Sequence, residues 1–161
     1  MNCRKCNHPL HQDARFCDKC GKPTEVMSSI GNKASNKLTV LVIDDDPTYL
    51  EAYLFKFKKE GFDVVLARSG RDGLETVGRV KPSVILLDIL MPDMGGLEVL
   101  RRLKGDPKTK DIPVVMASIL GEKSDIEQSL ILGAVYHVSK EHTTSDEIVD
   151  KVLKAARSSG V

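Results

Sequence analysis

Five short apolar segments alternate with five helix-like segments from residue 38 onward, and this alternation restricts the fold more than any other feature of the sequence. The apolar segments are rich in Val, Ile and Leu, and they cover residues 38–44, 63–67, 83–88, 112–118 and 134–139. Strands without a polar face are typical of parallel sheets that helices cover on both sides. The alternation therefore predicts an α/β domain built around a five-stranded parallel sheet.

The segments between the strands carry signals for the ends of helices. Asp46 precedes Pro47, which is the order expected for an N-cap followed by the first helical residue. Thr144 and Glu147 have the spacing of a capping box, and Gly61 follows the first helix. Five strands joined by helices favour the flavodoxin-like doubly wound order, in which functional groups gather at the carboxyl ends of the strands.

The composition is that of a soluble globular protein. Of the 161 residues, 41% are hydrophobic and 29% are charged, and the formal net charge is +1. No apolar run approaches the ~20 residues of a membrane span, and the N-terminus lacks the apolar core of a secretory signal. We therefore expect a cytoplasmic protein, and the small net charge predicts no polyanionic partner.

All four cysteines lie near the N-terminus in two CxxC pairs, and they are Cys3, Cys6, Cys17 and Cys20. In a reducing compartment such pairs are more often zinc ligands than disulfides, because one CxxC turn presents two thiolates to one ion. The segment resembles the short zinc ribbons of many prokaryotic proteins, and chance cysteines or two disulfides are the alternative. The predicted parts of the chain are a zinc ribbon at 1–25, a flexible linker at 26–37 and the α/β domain at 38–161.

Polar side chains follow the predicted strands where a doubly wound sheet would bring them together. They are Asp44 and Asp45 after the first strand, Asp88 after the third, Ser118 after the fourth and Lys140 after the fifth. Crowded carboxylates repel one another, and Mg²⁺, which prefers oxygen ligands, would offset that repulsion. With a lysine and a hydroxyl able to bind an oxyanion, the set suits phosphoryl transfer onto Asp88. The alternative is that each Asp is only a helix cap or a solvated turn residue.

The segments LVIDDDP, VILLDILMPDMGGLEVL, PVVMAS and GAVYHVSK resemble, in order and spacing, the signatures of response-regulator receiver domains. The resemblance covers about residues 38–157. It implies that Asp88 is the phosphorylated residue. The Mg²⁺ ligands that it implies are Asp45 and Asp88, the main-chain carbonyl of Leu90 and, mainly through bound water, Asp44. Ser118 takes the place of the family's switch Thr or Ser, and Lys140 that of its phosphate-contacting lysine.

Several positions depart from the family pattern. His137 stands where the family commonly has a switch Tyr or Phe, and Glu141 stands where it usually has a cis proline. A cis bond before a residue other than proline costs ~2.5–4 kcal/mol, so we expect a trans Lys140–Glu141 bond. Gly96 is interpreted as the replacement of a frequent Asp that changes only a turn. Leu90 and Leu120 occupy positions that tune water access to the phosphoryl group, and their apolar side chains predict slow loss of phosphate.

The resemblance implies a response regulator of a two-component phosphorelay. The phosphoryl donor would be a histidine kinase or a phosphotransfer protein, and the output would be altered contacts with a downstream protein or a phosphorylation-dependent dimer. Such a protein is a phosphoryl acceptor rather than an enzyme. A phosphorylation-independent scaffold and a nucleic-acid-binding adaptor, each acting through the ribbon, are the alternatives. Nucleic acid is disfavoured because zinc and four thiolates leave the ribbon nearly neutral.

Overall fold

The computed structural model describes residues 37–158, which form one five-stranded parallel sheet flanked by five helices. The strands are β1 (Thr39–Ile43), β2 (Asp63–Ala67), β3 (Val84–Asp88), β4 (Val114–Ser118) and β5 (Tyr136–Ser139). The helices are α1 (Pro47–Lys59), α2 (Gly70–Val80), α3 (Gly96–Gly105), α4 (Lys123–Ile131) and α5 (Ser145–Ser158). Strands and helices alternate strictly, as the sequence predicts.

The sheet has the strand order β2-β1-β3-β4-β5, and every neighbouring pair is parallel. The prediction of a doubly wound order is therefore confirmed for this domain. The chain reverses its direction of winding between β1 and β3, where Ile43 pairs with Leu87. The next residue of each strand is an aspartate, so Asp44 and Asp88 lie side by side at the switch point. In the same way, the pairing of Asp88 with Ala117 brings Ser118 to this edge of the sheet.

The two faces of the sheet bury separate hydrophobic clusters because successive side chains of a strand point to opposite faces. Val40 and Val42 pack with buried residues of α1 and α5, including Phe57. Leu41 and Ile43 pack on the other face with buried residues of α2 and α3. The central strands β3 and β4 are buried along their whole length, which explains their continuous apolar sequence.

The predicted helix caps are present. The Asp46 side chain accepts a hydrogen bond of 2.8 Å from the Thr48 N–H at the start of α1. At the start of α5, the Thr144 N–H donates to the Glu147 carboxylate at 2.8 Å, and the Glu147 N–H donates to the Thr144 hydroxyl at 3.2 Å. These bonds satisfy N–H groups that have no partner within the helix.

Helix α4 differs from the other helices because Ser129 is its one buried residue. Leu130 is 49% exposed and Ile131 is 84% exposed at its carboxyl end. Its attachment to the sheet therefore owes less to apolar burial than that of the other helices. No helix between residues 37 and 158 combines the length and the apolar character that crossing a bilayer requires.

Candidate functional site

Three aspartates form an acidic cluster at the carboxyl edge of the sheet. Asp44 and Asp45 follow β1, and Asp88 ends β3. Carboxylate oxygens of the three residues all lie within 4.8 Å of one another. Asp44 and Asp88 are buried and Asp45 is exposed, so the cluster has an inner side that meets the core and an outer side that meets solvent.

Lys140 reaches into this cluster from the end of β5. Its ammonium forms an ion pair with Asp44 and a second one, of 3.1 Å, with Asp88. The same ammonium lies 4.1 Å from the centre of the Tyr49 ring, and only 1% of the lysine side chain is exposed. The Lys140 N–H donates to the Ser118 carbonyl at 2.8 Å. These contacts fix a buried positive charge beside the acidic side chains.

The cluster opens into a cleft of about 200 Å³. The cleft is lined by Asp44, Asp45, Asp46, Tyr49, Asp88, Leu90, Ile119 and Lys140. It therefore contains the three predicted carboxylates, the predicted lysine and the predicted Leu90. Sequence reasoning missed Tyr49 and Ile119, although Tyr49 lies in the first turn of a helix that starts at the carboxyl end of β1.

The electrostatics of the cleft favour the binding of a cation. Burial raises the pKa of Asp88 from 3.8 to about 6, and the charges of Asp44 and Asp45 act in the same direction. Lys140 opposes this shift by its charge and its hydrogen bond. When all groups are ionised, the four carboxylates that line the cleft, including the N-cap Asp46, outnumber its one ammonium, so the cleft carries excess negative charge. A divalent cation would offset that excess.

The donor set fits a hard divalent cation. Carboxylate oxygens within 4.8 Å of one another suit Mg²⁺, which binds through one or two carboxylates and keeps several waters. Sulfur and imidazole ligands, which softer metals prefer, do not line this cleft. Leu90, whose main-chain carbonyl is a predicted ligand, lines the cleft two residues after Asp88.

Ser118 is completely buried and belongs to a hydrogen-bonded chain of side chains rather than to the lining of the cleft. Its hydroxyl lies 3.2 Å from Nε2 of His137 and 3.3 Å from the carbonyl oxygen of Leu120. Nδ1 of His137 lies 3.1 Å from the hydroxyl of Ser129 on α4. Sequence reasoning did not single out Ser129, because nothing in its local pattern distinguishes it from other helical serines.

The loop between β3 and α3 lies close to the backbone of Asp88 at the end of β3. The Gly96 N–H donates to the Ile89 carbonyl at 2.7 Å. A Cβ atom at position 96 would lie 2.0 Å from the main-chain oxygen of Asp88, whereas one at Gly95 would meet nothing closer than 3.8 Å. The interpretation of Gly96 as a replaced Asp is therefore wrong, because this position accommodates no side chain.

Two further departures from the family pattern are accounted for. The described part of the chain contains no cis peptide bond, so the Lys140–Glu141 bond is trans as expected. Leu120 is 62% exposed, and Ile119 rather than Leu120 lines the cleft, so the position of Leu120 does not support the prediction that it tunes water access there. The four cysteines at positions 3, 6, 17 and 20 lie outside the described residues.

A doubly wound sheet with this acidic cluster at its switch point and a lysine after β5 defines a receiver domain. Residues 40–153 match the response regulator receiver domain family, and the chain belongs to that family. Receiver domains of this family are signalling domains rather than enzymes, and they bind Mg²⁺ at an acidic site.

Relatives of known sequence or structure agree with this assignment. The DNA-binding dual master transcriptional regulator RpaA of Synechocystis is 30% identical over 131 residues, which cover 76% of this chain and 54% of RpaA. The chain thus spans about half the length of that relative. The signal receiver domain of a signal transduction histidine kinase from Syntrophus aciditrophicus is 28% identical with a TM-score of 0.69, covering 75% of this chain and 91% of that one. The BeF3-activated N-terminal receiver domain of Klebsiella pneumoniae RstA is 26% identical with a TM-score of 0.67, covering 74% and 98% respectively.

Proposed function

We propose that this chain is a phosphoaspartate response regulator in which Asp88 accepts a phosphoryl group from a phosphohistidine donor with the help of Mg²⁺. The observation that carries the proposal is the pairing of one buried ammonium, that of Lys140, with both Asp44 and Asp88 in an open acidic cleft. A pair of buried carboxylates needed only for stability would not require access to solvent. Here the acceptor candidate lines a cleft large enough for a phosphoryl group.

The covalent step forms one bond and breaks one. A carboxylate oxygen of Asp88 attacks the phosphorus, and the P–N bond of the phosphohistidine breaks. The electron pair of that bond returns to the imidazole nitrogen, and the donor ring, protonated beforehand on its other nitrogen, leaves as neutral imidazole. The product is an acyl phosphate on Asp88.

The residues around Asp88 have separate roles in this step. The Lys140 ammonium, 3.1 Å from Asp88, is available to bind a phosphoryl oxygen, and the Ser118 hydroxyl is a candidate donor to another. Mg²⁺, when bound, neutralises charge on the transferred group; Asp45, Asp88 and the Leu90 carbonyl would hold it directly and Asp44 through water. The raised pKa of Asp88, about 6, leaves the carboxylate mostly ionised above neutral pH, as attack requires.

The partners follow from this chemistry. Receiver domains of response regulators receive phosphoryl groups from histidine kinases or phosphotransfer proteins, and we infer a donor of that kind for this chain. The output would be an altered surface formed by β4, α4 and β5, which a downstream protein or a second phosphorylated copy would bind. The most exposed part of this surface is the weakly buried α4, whereas β4 is buried along its whole length.

The direct test is the intact mass of the protein after incubation with acetyl phosphate and Mg²⁺. The wild type should gain one phosphoryl group, Asp88→Asn should gain none, and the exposed control Asp111→Asn should behave as the wild type does. Asp45→Ala should require much more Mg²⁺ for the same labelling. Equal labelling of wild type and Asp88→Asn would contradict the acceptor assignment and would favour the phosphorylation-independent scaffold.

We also propose that the chain carries a zinc ribbon at 1–25, joined by a linker at 26–37 to the receiver at 38–161. The support is the spacing of Cys3, Cys6, Cys17 and Cys20 as two CxxC pairs. The purified protein should hold one Zn²⁺ by elemental analysis, and Cys17→Ser should lose it while the receiver keeps its unfolding midpoint. Protein purified with no zinc, or a receiver that melts when zinc is chelated, would count against the ribbon.

A further inference from the structure

His137 connects two serine hydroxyls on different elements of the fold. Its Nε2 lies 3.2 Å from the Ser118 hydroxyl at the end of β4, and its Nδ1 lies 3.1 Å from the Ser129 hydroxyl on α4. The Ser129 hydroxyl also lies 2.8 Å from the carbonyl oxygen of Ile126. An unbroken chain of polar contacts therefore runs from the edge of the acceptor site to the backbone of α4.

The direction of these hydrogen bonds follows from counting hydrogens. The carbonyl of Ile126 can only accept, so the single hydroxyl hydrogen of Ser129 is used in the 2.8 Å bond to it. Ser129 must then accept from His137, which places the hydrogen of the neutral ring on Nδ1. Nε2 is left as an acceptor. The single hydroxyl hydrogen of Ser118 is within reach of both Nε2, at 3.2 Å, and the Leu120 carbonyl oxygen, at 3.3 Å. We assign it to Nε2, because otherwise the Ser118 oxygen and the bare ring nitrogen would face each other as two acceptors.

This arrangement turns the hydroxyl hydrogen of Ser118 toward His137. A phosphoryl group on Asp88 offers only acceptor oxygens, so Ser118 would have to donate its single hydrogen to that group instead. The oxygen of Ser118 and the bare Nε2 of His137 would then face each other as two acceptors. An acceptor left without a donor at a buried position is costly, and Ser118 is completely buried while His137 is partly buried.

A proton on Nε2 removes this conflict. The imidazolium form donates from both nitrogens, to Ser118 on one side and to Ser129 on the other, while each hydroxyl donates onward. We propose that His137 is a positioning residue for Ser118, and that phosphorylation of Asp88 is accompanied by uptake of one solvent proton at Nε2 of His137. The inference rests on the proposed function, because it requires Asp88 to carry the phosphoryl group.

The surroundings of His137 are compatible with a change of protonation. Burial lowers the pKa of His137, and the charge of Asp125 on α4 acts in the opposite direction. From β4 the ring meets the uncharged Ser118 and, in register, the uncharged Met116. The ammonium of Lys140, further along β5, is engaged by the carboxylates of the acidic cluster. The ring is thus neutral in the unmodified receiver near neutral pH, and new negative charge near Ser118 favours its protonation.

The test is an NMR pH titration of the ring resonances of His137 in the full chain, with and without BeF₃⁻ and Mg²⁺ as the phosphoryl mimic. Without the mimic, the nitrogen shifts of the neutral ring should identify the Nδ1–H form. With it, the titration midpoint should rise by about one unit, a tenfold gain in proton affinity. His142, on the exposed loop after Lys140, reports how far the added charge alone moves a nearby histidine.

Two variants separate the hydrogen-bond mechanism from charge alone. Ser118→Ala removes the group that links the ring to the acceptor site, and Ser129→Ala frees the neutral ring to carry its hydrogen on Nε2. Ser129→Ala should bind BeF₃⁻ as the wild type does, with most of the rise at His137 lost. Ser118→Ala also removes a candidate donor to the phosphoryl group, so it is compared at saturating BeF₃⁻, where the rise should be lost as well. A rise that persists undiminished in Ser118→Ala, or an Nε2–H form in the unmodified wild type, would overturn the proposal.

The experiment distinguishes failure of the proton coupling at His137 from failure of the phosphoryl-acceptor function of Asp88. If BeF₃⁻ changes the spectrum of the wild type and not that of Asp88→Asn, while His137 titrates unchanged, the proton coupling alone is wrong. If BeF₃⁻ changes neither spectrum, the phosphoryl-acceptor function and the coupling are both wrong.

Discussion

The ammonium of Lys140 lies 3.1 Å from a carboxylate oxygen of Asp88, and 1% of the lysine side chain and 6% of the aspartate side chain are exposed. Because the same ammonium also pairs with Asp44, its removal would leave two buried carboxylates without this positive charge, although Asp44 would still accept a hydrogen bond of 3.0 Å from the Asp46 N–H. Lys140 therefore affects both phosphoryl transfer in the cleft and the free energy of unfolding of the domain. These two quantities can be measured separately.

Lys140→Met keeps the apolar stem of the lysine and removes its charge. We expect the free energy of unfolding at pH 7.5 to fall by ~3–5 kcal/mol, as for other buried charges that lose their partner. The loss should be smaller at pH 5, where Asp88 takes up a proton. Urea unfolding at both pH values measures this, and Lys154→Met, which removes an exposed pair with Asp150, is the control. A loss no larger than that of the control would show that the buried pair contributes little to stability.

The raised pKa of Asp88 predicts how stability varies with pH in metal-free protein. The folded state holds its proton up to about pH 6, whereas 3.8 is the value for an unperturbed carboxyl. Between these values the folded state binds more protons than the unfolded state, so this group destabilises the fold as pH rises. The penalty above pH 6 is about 3 kcal/mol by linkage.

Asp88→Asn isolates this contribution. The variant should be more stable than the wild type at pH 7.5 in EDTA, and the two should converge toward pH 4. Addition of Mg²⁺ should reduce the difference, because the cation would bind more tightly to, and so stabilise more, the protein that retains the Asp88 carboxylate. A constant difference across this pH range would contradict the assigned pKa.

The lifetime of the phosphorylated state should depend on Leu90. Leu90 lines the cleft and is 58% exposed, and its side chain can neither donate nor accept a hydrogen bond, so it does not orient a water for attack on the acyl phosphate. Leu90→Asn should speed the loss of phosphate several-fold, as followed by intact mass over time. Leu120→Asn is the matched control, because Leu120 is as exposed as Leu90 but lies outside the cleft lining. Equal rates in the wild type and Leu90→Asn would exclude this role.

Gly96 should be intolerant of substitution. A methyl group there would lie 2.0 Å from the Asp88 main-chain oxygen, so Gly96→Ala should cost about 1–3 kcal/mol or more and disturb the acceptor. At Gly78, in the middle of α2, an added Cβ meets nothing within 4 Å. Gly78→Ala should therefore stabilise the protein by ~0.5–1 kcal/mol. Urea midpoints compare the two variants, and similar effects at both positions would refute the steric argument.

The sheet and the position of the acidic cluster could be predicted because both follow from short-range signals. Continuous apolar strands and capping residues such as Asp46 define the elements, and the parallel order then brings the strand ends to one edge. Asp44 and Asp88 meet because adjacent strands run in register, which needs no knowledge of side-chain conformation.

The details beyond the strand ends could not be predicted in the same way. Which of Ile119 and Leu120 faces the cleft depends on the path of a loop, and hydrophobicity does not distinguish them. The contact of Ser129 with His137 depends on the rotation of α4 about its axis. The apolar periodicity of α4 is too weak to set that rotation, because the helix buries only this serine.

Because α4 buries little apolar surface, its backbone hydrogen bonds should break more easily than those of the other helices. The free energy of local opening grows with the apolar surface that a segment buries, so the amide hydrogens of α4 should exchange with solvent sooner than those of α1 or α5. A single hydrogen bond is a small fraction of the energy that secures a deeply packed helix, but a large fraction for this one. A change of bonding at Ser129 would accordingly alter exchange across the whole of α4 while leaving the protected strands of the sheet untouched.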